Sequence, residues 1–401
     1  MSGPVRLGVV ATHPIQYHAP LYRRLAADPR LRTTVLFAHR PTPAEQGADF
    51  GVQFQWDVDL TSGFDHVWLR NQSARPSVTE FAGCDTPEVG RLIRERRFDV
   101  VLVSGWHART YWQAMLACWR SGTPALVRGD SQLPSGAPAM RRAAKRALYP
   151  LFISRFAACL SVGERSAEYF RHFGARRVVP SPHFVDNDFF AARADRARAE
   201  PGGARAALGF PAEAPVVLFA GKLLERKRPL DLIRAVARFD AERRPHVAFA
   251  GEGALREACA AEARRLGVEA HFLGFLNQTQ LPRAYAAADL LVLPSDGRET
   301  WGLVVNEAMA CGVPAVVSTA VGCYPDMIVE GETGHGFALG DVAGLAAAID
   351  RVLGERATAR RMGDAAARHV AARFTVDVAA EGIAVAALGA AGGRAAMRGA
   401  A

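Results

Sequence analysis

The sequence predicts an α/β protein with two domains in series, each built on a parallel sheet, that face a cleft. Three observations support this. Short apolar runs alternate with helical patterns in the first half, a second alternation begins near Pro215, and a stretch rich in Ala, Arg and Gly separates them. Such alternation indicates buried parallel strands joined by crossover helices. The length of 401 residues fits two or three domains, at about 150 residues each.

In the first half, an apolar strand opens the chain and a helix that starts at Pro20 follows it. The strands predicted there are 5–11, 33–38, 98–104, 124–128 and 157–162, and the first helix is 20–28. Residues 41–84 form a long, aromatic-rich excursion whose structure the pattern leaves open.

In the second half, five short apolar runs predict strands, and helical patterns separate them. The strands are 215–221, 246–251, 270–275, 289–294 and 313–318, and the helices are 229–240, 254–267, 278–288 and 300–311.

The domain boundaries follow from shifts in composition. We expect a first domain over 1–190, a linker region over 191–214 and a second domain over 215–374. Large apolar residues are scarce in 192–209, which is why this stretch is interpreted as linker. From 375 to 401 we expect a helix that returns to the first domain and then a flexible tail rich in Ala and Gly.

Composition narrows the class of protein. The net charge of +9 favours phosphate-bearing partners, but zinc-finger spacing, RNA-binding sheet motifs and basic zippers do not occur, so nucleic acid has no specific support. The N-terminus lacks a signal-peptide pattern, and no run of about 18 apolar residues predicts a membrane span. The six cysteines are scattered without a CxxC. We therefore expect a cytoplasmic protein without a disulfide framework, with peripheral contact at the inner membrane face as a further option.

The segment SDGRETWGLVVNEAMACGVPAVVS (295–318) is almost wholly apolar but contains two glutamates, Glu299 and Glu307. Glu299 follows a strand and precedes a helix, which is where ligands bind in open α/β sheets and where free N–H groups favour an anion. The alternative for Glu299 is a favourable interaction with the helix dipole alone.

Glu307 lies in a helix that is apolar nearly all round. Its neighbours one turn away are Leu303, Val304, Ala310 and Cys311. A buried carboxylate is costly unless it is paired. We expect its partner to be either a pair of ligand hydroxyls or an arginine in a structural ion pair.

This segment resembles the donor-site signature of the retaining family-4 glycosyltransferases (glycosyltransferase group 1), whose GT-B fold has two Rossmann-like domains. The resemblance lies in two glutamates eight apart after an apolar strand, the pair Trp301–Gly302 between them, and CGVP (311–314) after them. It covers about 215–380 strongly and the N-terminal half only in outline.

The resemblance implies a role for each glutamate. Glu307 would accept hydrogen bonds from the ribose hydroxyls of a nucleotide sugar, since the two oxygens of a carboxylate can accept from adjacent hydroxyls. Glu299 would contact the donor sugar, together with the backbone amides that follow it. These amides belong to Thr300, Trp301, Gly302 and Leu303.

The segment GKLLERKRP (221–229) is similar to the family segment whose cations hold the donor diphosphate. Gly221, Lys222 and Lys227 are the matching residues. Lys222 stands where arginine is commoner, and an ammonium lacks the bidentate geometry of a guanidinium. The alternative is a solvated cluster of basic residues.

The resemblance also implies which residues lie near the nucleotide base. They are Gly251 and Gly253 in the GEG turn, and Phe275 after the next strand.

The N-terminal half departs from the family pattern. Many relatives carry a Gly-Gly loop after the first strand, where this chain has THPIQYHAP (12–20), and many have a histidine after the fifth strand, where it has VRGDSQ (127–132). A lone histidine is more often structural than functional, but shared positions at strand carboxyl ends make these residues acceptor-side candidates. They are His13, His18, His107, Arg128 and Asp130.

The segment 139–151 predicts an amphipathic helix. One face carries Met140, Ala143, Ala144, Ala147, Leu148 and Leu151, and the other carries Arg141, Arg142, Lys145 and Arg146. We expect the apolar face to pack on the core and the basic face to be solvated. The alternative is contact with anionic lipid.

Taken with the resemblance, the sequence is expected to encode a hexosyltransferase-type enzyme of glycan or glycoconjugate synthesis that uses a UDP- or GDP-linked sugar. Transfer would retain the anomer and need neither metal nor cofactor, because Lys222, Lys227 and helix N–H groups would stabilise charge on the leaving phosphate. Together with Lys222 and Lys227, Glu299 is the third expected catalytic residue. The acceptor would be a glycan, a lipid-linked molecule or a small molecule. The alternatives are an epimerase or phosphorylase of the same build, and an inactive nucleotide-sugar-binding module.

Overall fold

The computed structural model describes residues 3–47, 52–133 and 139–399. The chain divides into two compact units. The first comprises Met1–Glu45, Asp59–His183 and Val376–Ala401, and the second comprises Gln46–Val58 and Phe184–Thr375.

Both units are built on parallel sheets, so the predicted fold class is confirmed. The strands in chain order are β1 Val5–Ala11, β2 Leu31–Phe37, β3 Asp65–Trp68, β4 Val100–Val103, β5 Ala125–Gly129, β6 Ala158–Ser161, β7 Val178–Pro180, β8 Val216–Ala220, β9 His246–Ala250, β10 Ala270–Gly274, β11 Leu290–Leu293, β12 Ala315–Ser318 and β13 Gly334–Phe337.

Helices connect most of the strands. In chain order they are α1 His18–Ala26, α2 Pro43–Gly47, α3 Val89–Glu95, α4 Arg109–Ser121, α5 Ala139–Ile153, α6 Glu164–His172, α7 Asn187–Ala199, α8 Gly203–Ala207, α9 Pro229–Val236, α10 Arg256–Leu266, α11 Leu281–Ala287, α12 Leu303–Ala310, α13 Tyr324–Met327, α14 Val342–Leu353, α15 Arg356–Arg373 and α16 Val376–Gly399.

The sheet of the first unit has seven strands in the order β3-β2-β1-β4-β5-β6-β7. β1 pairs with β2 from Val5↔Leu31 to Ala11↔Phe37, and with β4 on its other side. The strand order therefore reverses between β1 and β4. The loops that follow these two strands flank a topological switch point, where open α/β sheets bind their ligands.

The sheet of the second unit has six strands in the order β10-β9-β8-β11-β12-β13. Its switch point lies between β8 and β11, which pair in parallel. The loop after β8 contains Gly221, and the loop after β11 leads to Glu299. Each unit has its own apolar core between the sheet and its helices, as the continuous apolar character of the strands requires.

The region predicted as linker contains two helices. α7 and α8 fall within 191–214 or overlap it, and both belong to the second unit. The Asp186 side chain caps α7 by accepting a hydrogen bond from the Phe189 N–H at 3.0 Å. Phe190, Ala194 and Ala197 are buried. Small side chains let this helix pack closely on α11 and α12, so a shortage of large apolar residues did not indicate a linker here.

The C-terminal segment is also more ordered than predicted. α16 extends to Gly399, where a flexible tail was expected, and it belongs to the first unit. Ala379, Ile383 and Ala387 are buried. A Cβ at Gly382 would lie 2.0 Å from the Pro180 carbonyl oxygen, so only glycine permits this approach of the helix to β7. The Ala and Gly residues of this helix allow close packing.

One helical stretch, Arg356–Gly393, is long and apolar enough by length and composition to cross a membrane, with 44% of its apolar window buried in the fold. Core helices pass the same test. The buried side chains of α16 that pack against β6 and β7 are those of a core helix.

The amphipathic helix α5 differs from its prediction. Met140, Leu148 and Leu151 are 85%, 60% and 66% exposed, so the expectation that this apolar face packs on the core is wrong. Its basic residues Arg142 and Arg146 are exposed as well. The side chain of Arg141 lies outside the described part of the chain.

Candidate functional site

Two loops of the second unit meet at its switch point. The Asp296 N–H, after β11, donates a hydrogen bond to the Arg226 carbonyl at 2.8 Å, after β8. This contact brings the Lys227 ammonium into an ion pair with the Glu299 carboxylate. The two residues that the sequence placed 72 positions apart in one donor site are therefore direct neighbours.

The Lys227–Glu299 pair is largely shielded from solvent. The exposed fractions of the two side chains are 11% and 15%, and Arg226 Nη1 lies 3.6 Å from Glu299 Oε2. The alternative of a solvated basic cluster does not describe Lys227. Lys222 lies in the same loop and is partly exposed.

Glu307 is fully buried in α12. Its Oε2 accepts a hydrogen bond of 2.6 Å from the hydroxyl of Tyr285 in α11. This tyrosine was not identified from the sequence, where it is one aromatic residue in a short apolar helix. The bond fixes one carboxylate oxygen, and it partly offsets the cost of burying the group.

The two glycine-bearing loops after β8 and β9 lie against each other. The Leu223 N–H donates to the Glu252 carbonyl at 2.9 Å. A Cβ at Gly251, whose φ is +147°, would lie 2.1 Å from the Gly221 carbonyl oxygen. Only glycine allows this approach, which draws the loop containing Gly253 to the loop containing Gly221.

Trp301 has a structural side chain. It is 4% exposed, its Nε1–H donates to Asn306 Oδ1 at 2.8 Å, and its ring lies 6.0 Å from that of Phe374. The backbone around it is held in place, because the Gly322 N–H donates to the Glu299 carbonyl at 2.9 Å. The segment Thr300–Leu303 can therefore offer backbone groups to a ligand, while the buried indole of Trp301 stabilises its conformation.

Phe275 contacts a segment from the first half of the sequence. The Phe54 ring lies 4.3 Å from it at 35°, and the Asn277 amide donates to the Gln55 carbonyl at 2.7 Å. Residues 52–58 thus belong to the second unit, although they fall in the region whose structure the sequence pattern left open.

Four of the five acceptor-side candidates line one cavity of about 290 Å³ in the first unit. They are His18, His107, Arg128 and Asp130. The cavity lies at the carboxyl ends of β1, β4 and β5, beside the switch point. Its other lining residues are Ser104, Gly105, Trp106, Gly129, Ser131, Val162 and His183.

The imidazoles of this region are neutral near pH 7. Burial, then the charge of Arg128, lowers the pKa of His18 to about 3 and holds the pKa of His183 well below its usual range. Burial also lowers the pKa of His107. His13 lies beside His39 and His107, where burial and those two rings lower its pKa to about 4.

The sequence did not identify five of the side chains that line this cavity, those of Ser104, Trp106, Ser131, Val162 and His183. His183 precedes no motif, and Ser104 and Trp106 adjoin His107 without a pattern of their own. Their proximity depends on the order of the strands, which places the ends of β4, β5 and β6 side by side.

Comparison with known proteins identifies the second unit. Residues 203–369 match the model of the family described as glycosyl transferases group 1. This matched range lies within the second unit. The matched range contains the Lys227–Glu299 pair and Glu307, so these residues of the candidate donor site lie inside the region that the family model matches.

Relatives and solved structures are similar to longer parts of the chain. A D-inositol 3-phosphate glycosyltransferase of Streptomyces avermitilis is 33% identical over 303 residues, which cover 68% of this chain and 62% of that protein. An Anabaena protein solved in complex with UDP is 19% identical, with a TM-score of 0.69 over 95% of this chain and 98% of that one. An α,α-trehalose 6-phosphate synthase of Burkholderia multivorans is 13% identical, with a TM-score of 0.73 over 98% of both chains.

The likenesses to solved structures show that the chain has the GT-B fold. The chain spans less than two thirds of the curated relatives that it matches first, at 62%, 43% and 64% of their lengths.

Proposed function

We propose that this protein is a glycosyltransferase that moves a sugar from a nucleotide-sugar donor to an acceptor. The observation that carries the proposal is the shielded Lys227–Glu299 pair at the β8/β11 switch point, followed along the chain by the helix α12 with its buried Glu307. This arrangement combines a cation for a diphosphate with carboxylates for hydroxyl groups.

The two glutamates take different parts of the donor in this proposal. Glu307 accepts from the ribose hydroxyls, with Tyr285 holding one of its oxygens. Glu299 contacts the transferred sugar, because it lies at the start of the segment whose backbone leads into α12. Phe275, Gly251 and Gly253 adjoin the base. A UDP-linked donor is supported by the Anabaena relative solved with UDP and, as a separate complex, with UDP-glucose.

The diphosphate would exchange partners with Glu299. A carboxylate now matches the charge of Lys227, so an arriving diphosphate competes for the ammonium and releases Glu299 toward the sugar. Lys222 and Lys227 then stabilise the charge that develops on the departing phosphate. This supply of positive charge by side chains is what supports transfer without a metal or cofactor. Retention of the anomeric configuration follows the family resemblance and is part of the proposal.

The acceptor would occupy the cavity of the first unit. His18, His107, Arg128 and Asp130 surround it. Because its histidines are neutral near pH 7, they offer hydrogen bonds and not charge. A neutral imidazole can also accept a proton, which leaves room for base catalysis by His107, the most exposed of the three.

The protein would work in the cytoplasm, in contact with the inner face of the membrane. Support comes from α5, whose apolar residues Met140, Leu148 and Leu151 are exposed beside the basic residues Arg142 and Arg146. An exposed apolar stripe with a basic border fits the interface of an anionic bilayer, where both the hydrophobic contact and the charge are favourable.

Titration of two glutamate variants tests the donor assignment. Glu307→Gln loses a charge and acceptor capacity, so it should weaken UDP and the nucleotide sugar alike, by about 1.5–3 kcal/mol for a charged hydrogen bond. Glu299→Gln should bind UDP almost normally but lower turnover, because its partner is present only in the donor. Calorimetry with UDP and then with the nucleotide sugar measures both.

Glu332→Gln, an exposed glutamate of the same unit, is the matched control. Normal binding of both ligands by Glu307→Gln would contradict the ribose assignment.

Acceptor-independent epimer formation, or phosphate-dependent cleavage of a glycoside, would replace the transferase proposal by one of its two enzymatic alternatives. UDP binding without turnover on any acceptor would indicate a binding module.

A further inference from the structure

Arg128 is a buried cation at the edge of the acceptor cavity. The residue is 8% exposed and lines the cavity. Its Nε–H donates to the Ser181 carbonyl at 3.2 Å and to the Ser181 hydroxyl at 3.1 Å, and its Nη2–H donates to the Pro182 carbonyl at 2.9 Å. In the described part of the chain, these neutral oxygens are its hydrogen-bond partners.

The guanidinium of Arg128 is therefore held in place by hydrogen bonds, but these neutral partners do not neutralise its positive charge. Among the described residues, no carboxylate oxygen lies within 4.0 Å of its guanidinium nitrogens. Asp130 lines the same cavity at a longer distance. A buried cation that only neutral groups contact is costly, because these groups replace the hydrogen bonds of water without supplying an opposite charge.

The histidines and the tyrosine around Arg128 do not supply a negative charge that would offset it. His18 and His183 are uncharged near pH 7, and the Tyr22 hydroxyl, which the Arg128 charge also reaches, has a pKa far above neutrality because of its burial. The cavity thus has one fixed cation at Arg128 and one carboxylate at Asp130, separated from each other. The remaining lining groups are uncharged.

We propose that this cavity recognises an acceptor that carries an anionic oxyacid group, either a phosphate monoester or a carboxylate, on a polyhydroxylated body. Arg128 faces the anion and Asp130 accepts hydrogen bonds from hydroxyl groups. This deepens the proposed transferase function and rests on it.

The free donors of Arg128 suit such a group. Its Nη1 has no partner among the described residues, and a guanidinium edge matches two oxygens of a phosphate or carboxylate. Neutral His18 can donate one N–H as well. The cavity volume of about 290 Å³ is at the lower end for small-molecule sites, which fits one phosphorylated or acidic sugar-sized unit and not a long glycan.

Binding of simple anions to the full chain tests this without knowledge of the natural acceptor. The probes are inorganic phosphate, glucose 6-phosphate, glucuronate and glucose, each titrated by calorimetry in the presence of UDP. We expect wild type to bind a phosphate monoester or glucuronate at least tenfold more tightly than glucose. Arg128→Gln should lose at least about tenfold of that affinity, the range for one charged hydrogen bond.

Two further variants make the result specific. Arg171→Gln, the same change at an exposed arginine of the first unit, should bind the anions as wild type does. Arg128→Lys keeps the positive charge but loses the bidentate geometry of the guanidinium, so we expect an anion affinity between those of wild type and Arg128→Gln. If Arg128→Gln does not fold, Arg128→Lys takes its place in the test. Affinity for UDP reports the donor site separately, so absence of UDP binding to wild type would contradict the UDP-linked donor of the proposed function and not this proposal.

The outcomes separate the sources of the anion. Preference for glucose 6-phosphate over glucuronate assigns a phosphorylated acceptor, and the reverse assigns an acidic sugar. Anion affinity that is equal in wild type and Arg128→Gln, or equal binding of glucose and its charged analogues by wild type, would overturn the proposal.

Discussion

At the scale of residues, the site depends on a few charged groups in apolar surroundings. The chain contains 46 arginines but only three lysines, Lys145, Lys222 and Lys227. Two of the three lie in the loop after β8. An ammonium is a compact point charge that can move between partners, which suits Lys227, since it pairs with Glu299 now and would pair with a phosphate in the complex.

Removal of the Lys227 ammonium should weaken nucleotide binding. Lys227→Ala loses a charged hydrogen bond to the diphosphate and leaves Glu299 without its ion pair. We expect UDP affinity to fall by about 1.5–3 kcal/mol. Calorimetry with UDP measures this, and Lys145→Ala in α5 is the matched control. Unchanged UDP affinity in Lys227→Ala would mean that the ion pair with Glu299 is purely structural.

At the scale of elements, α5 is the clearest departure from the sequence pattern. Periodicity predicted an amphipathic helix, and the structure contains one, Ala139–Ile153. Periodicity shows that two faces differ, but not which of them meets the core. Here the residues that pack inward are Ile153, Phe152 and Tyr149 at its end, so the predicted apolar face remains outside.

This exposed face should bind anionic vesicles. Reversal of charge at Arg142, Lys145 and Arg146 should lower partitioning onto vesicles with phosphatidylserine or phosphatidylglycerol by at least about a hundredfold, at about 1 kcal/mol for each basic residue near the surface. Co-sedimentation at low and high salt measures it. Reversal at Arg360 and Arg361, two exposed arginines of α15, is the control.

Two results would contradict membrane contact. One is the absence of wild-type binding to such vesicles at low salt. The other is equal loss in the α5 and α15 variants, because that would indicate attraction by net charge alone.

At the scale of the whole molecule, the two units follow one plan. Each is a parallel sheet whose strand order reverses once, and each gathers its polar side chains at that reversal. In the first unit these side chains include partly buried histidines whose lowered pKa values keep them neutral. This links the stability of the molecule to pH.

Acid should destabilise the first unit before its carboxylates titrate. His13, His18 and His183 have lowered pKa values in the folded state, so between their ordinary pKa near 6.5 and the folded values the unfolded chain binds more protons. Stability is complete above pH 6.5 and falls as the pH decreases, by up to about 1.4 kcal/mol per pH unit for each such histidine.

Thermal unfolding followed by tryptophan fluorescence between pH 7 and 5 measures this loss. The double variant His13→Gln, His18→Gln should show a smaller fall in melting temperature than wild type, whereas the exposed His172→Gln should match wild type. An equal fall in all three proteins would assign the acid sensitivity to other groups.

The sequence by itself determined the α/β class and most strands to within two residues, and it singled out Glu299 and Glu307 as candidate donor-side residues. Parallel strands that are buried on both faces must be continuous apolar runs, and a carboxylate such as Glu307 is conspicuous inside an apolar helix. These are local signals, and they need no knowledge of which elements pack together.

Only the tertiary structure decided the partners. Tertiary packing placed His183 beside His18 and Tyr285 against Glu307. It also brought residues 52–58 to Phe275, across more than 200 positions of sequence. The segments expected to be a linker and a tail form α7, α8 and α16, because Ala and Gly permit close helix packing. Whether such packing occurs depends on the surface that the segment meets in the folded protein. Which face of an amphipathic helix is covered is settled the same way, by the shape of its neighbours and not by its own periodicity.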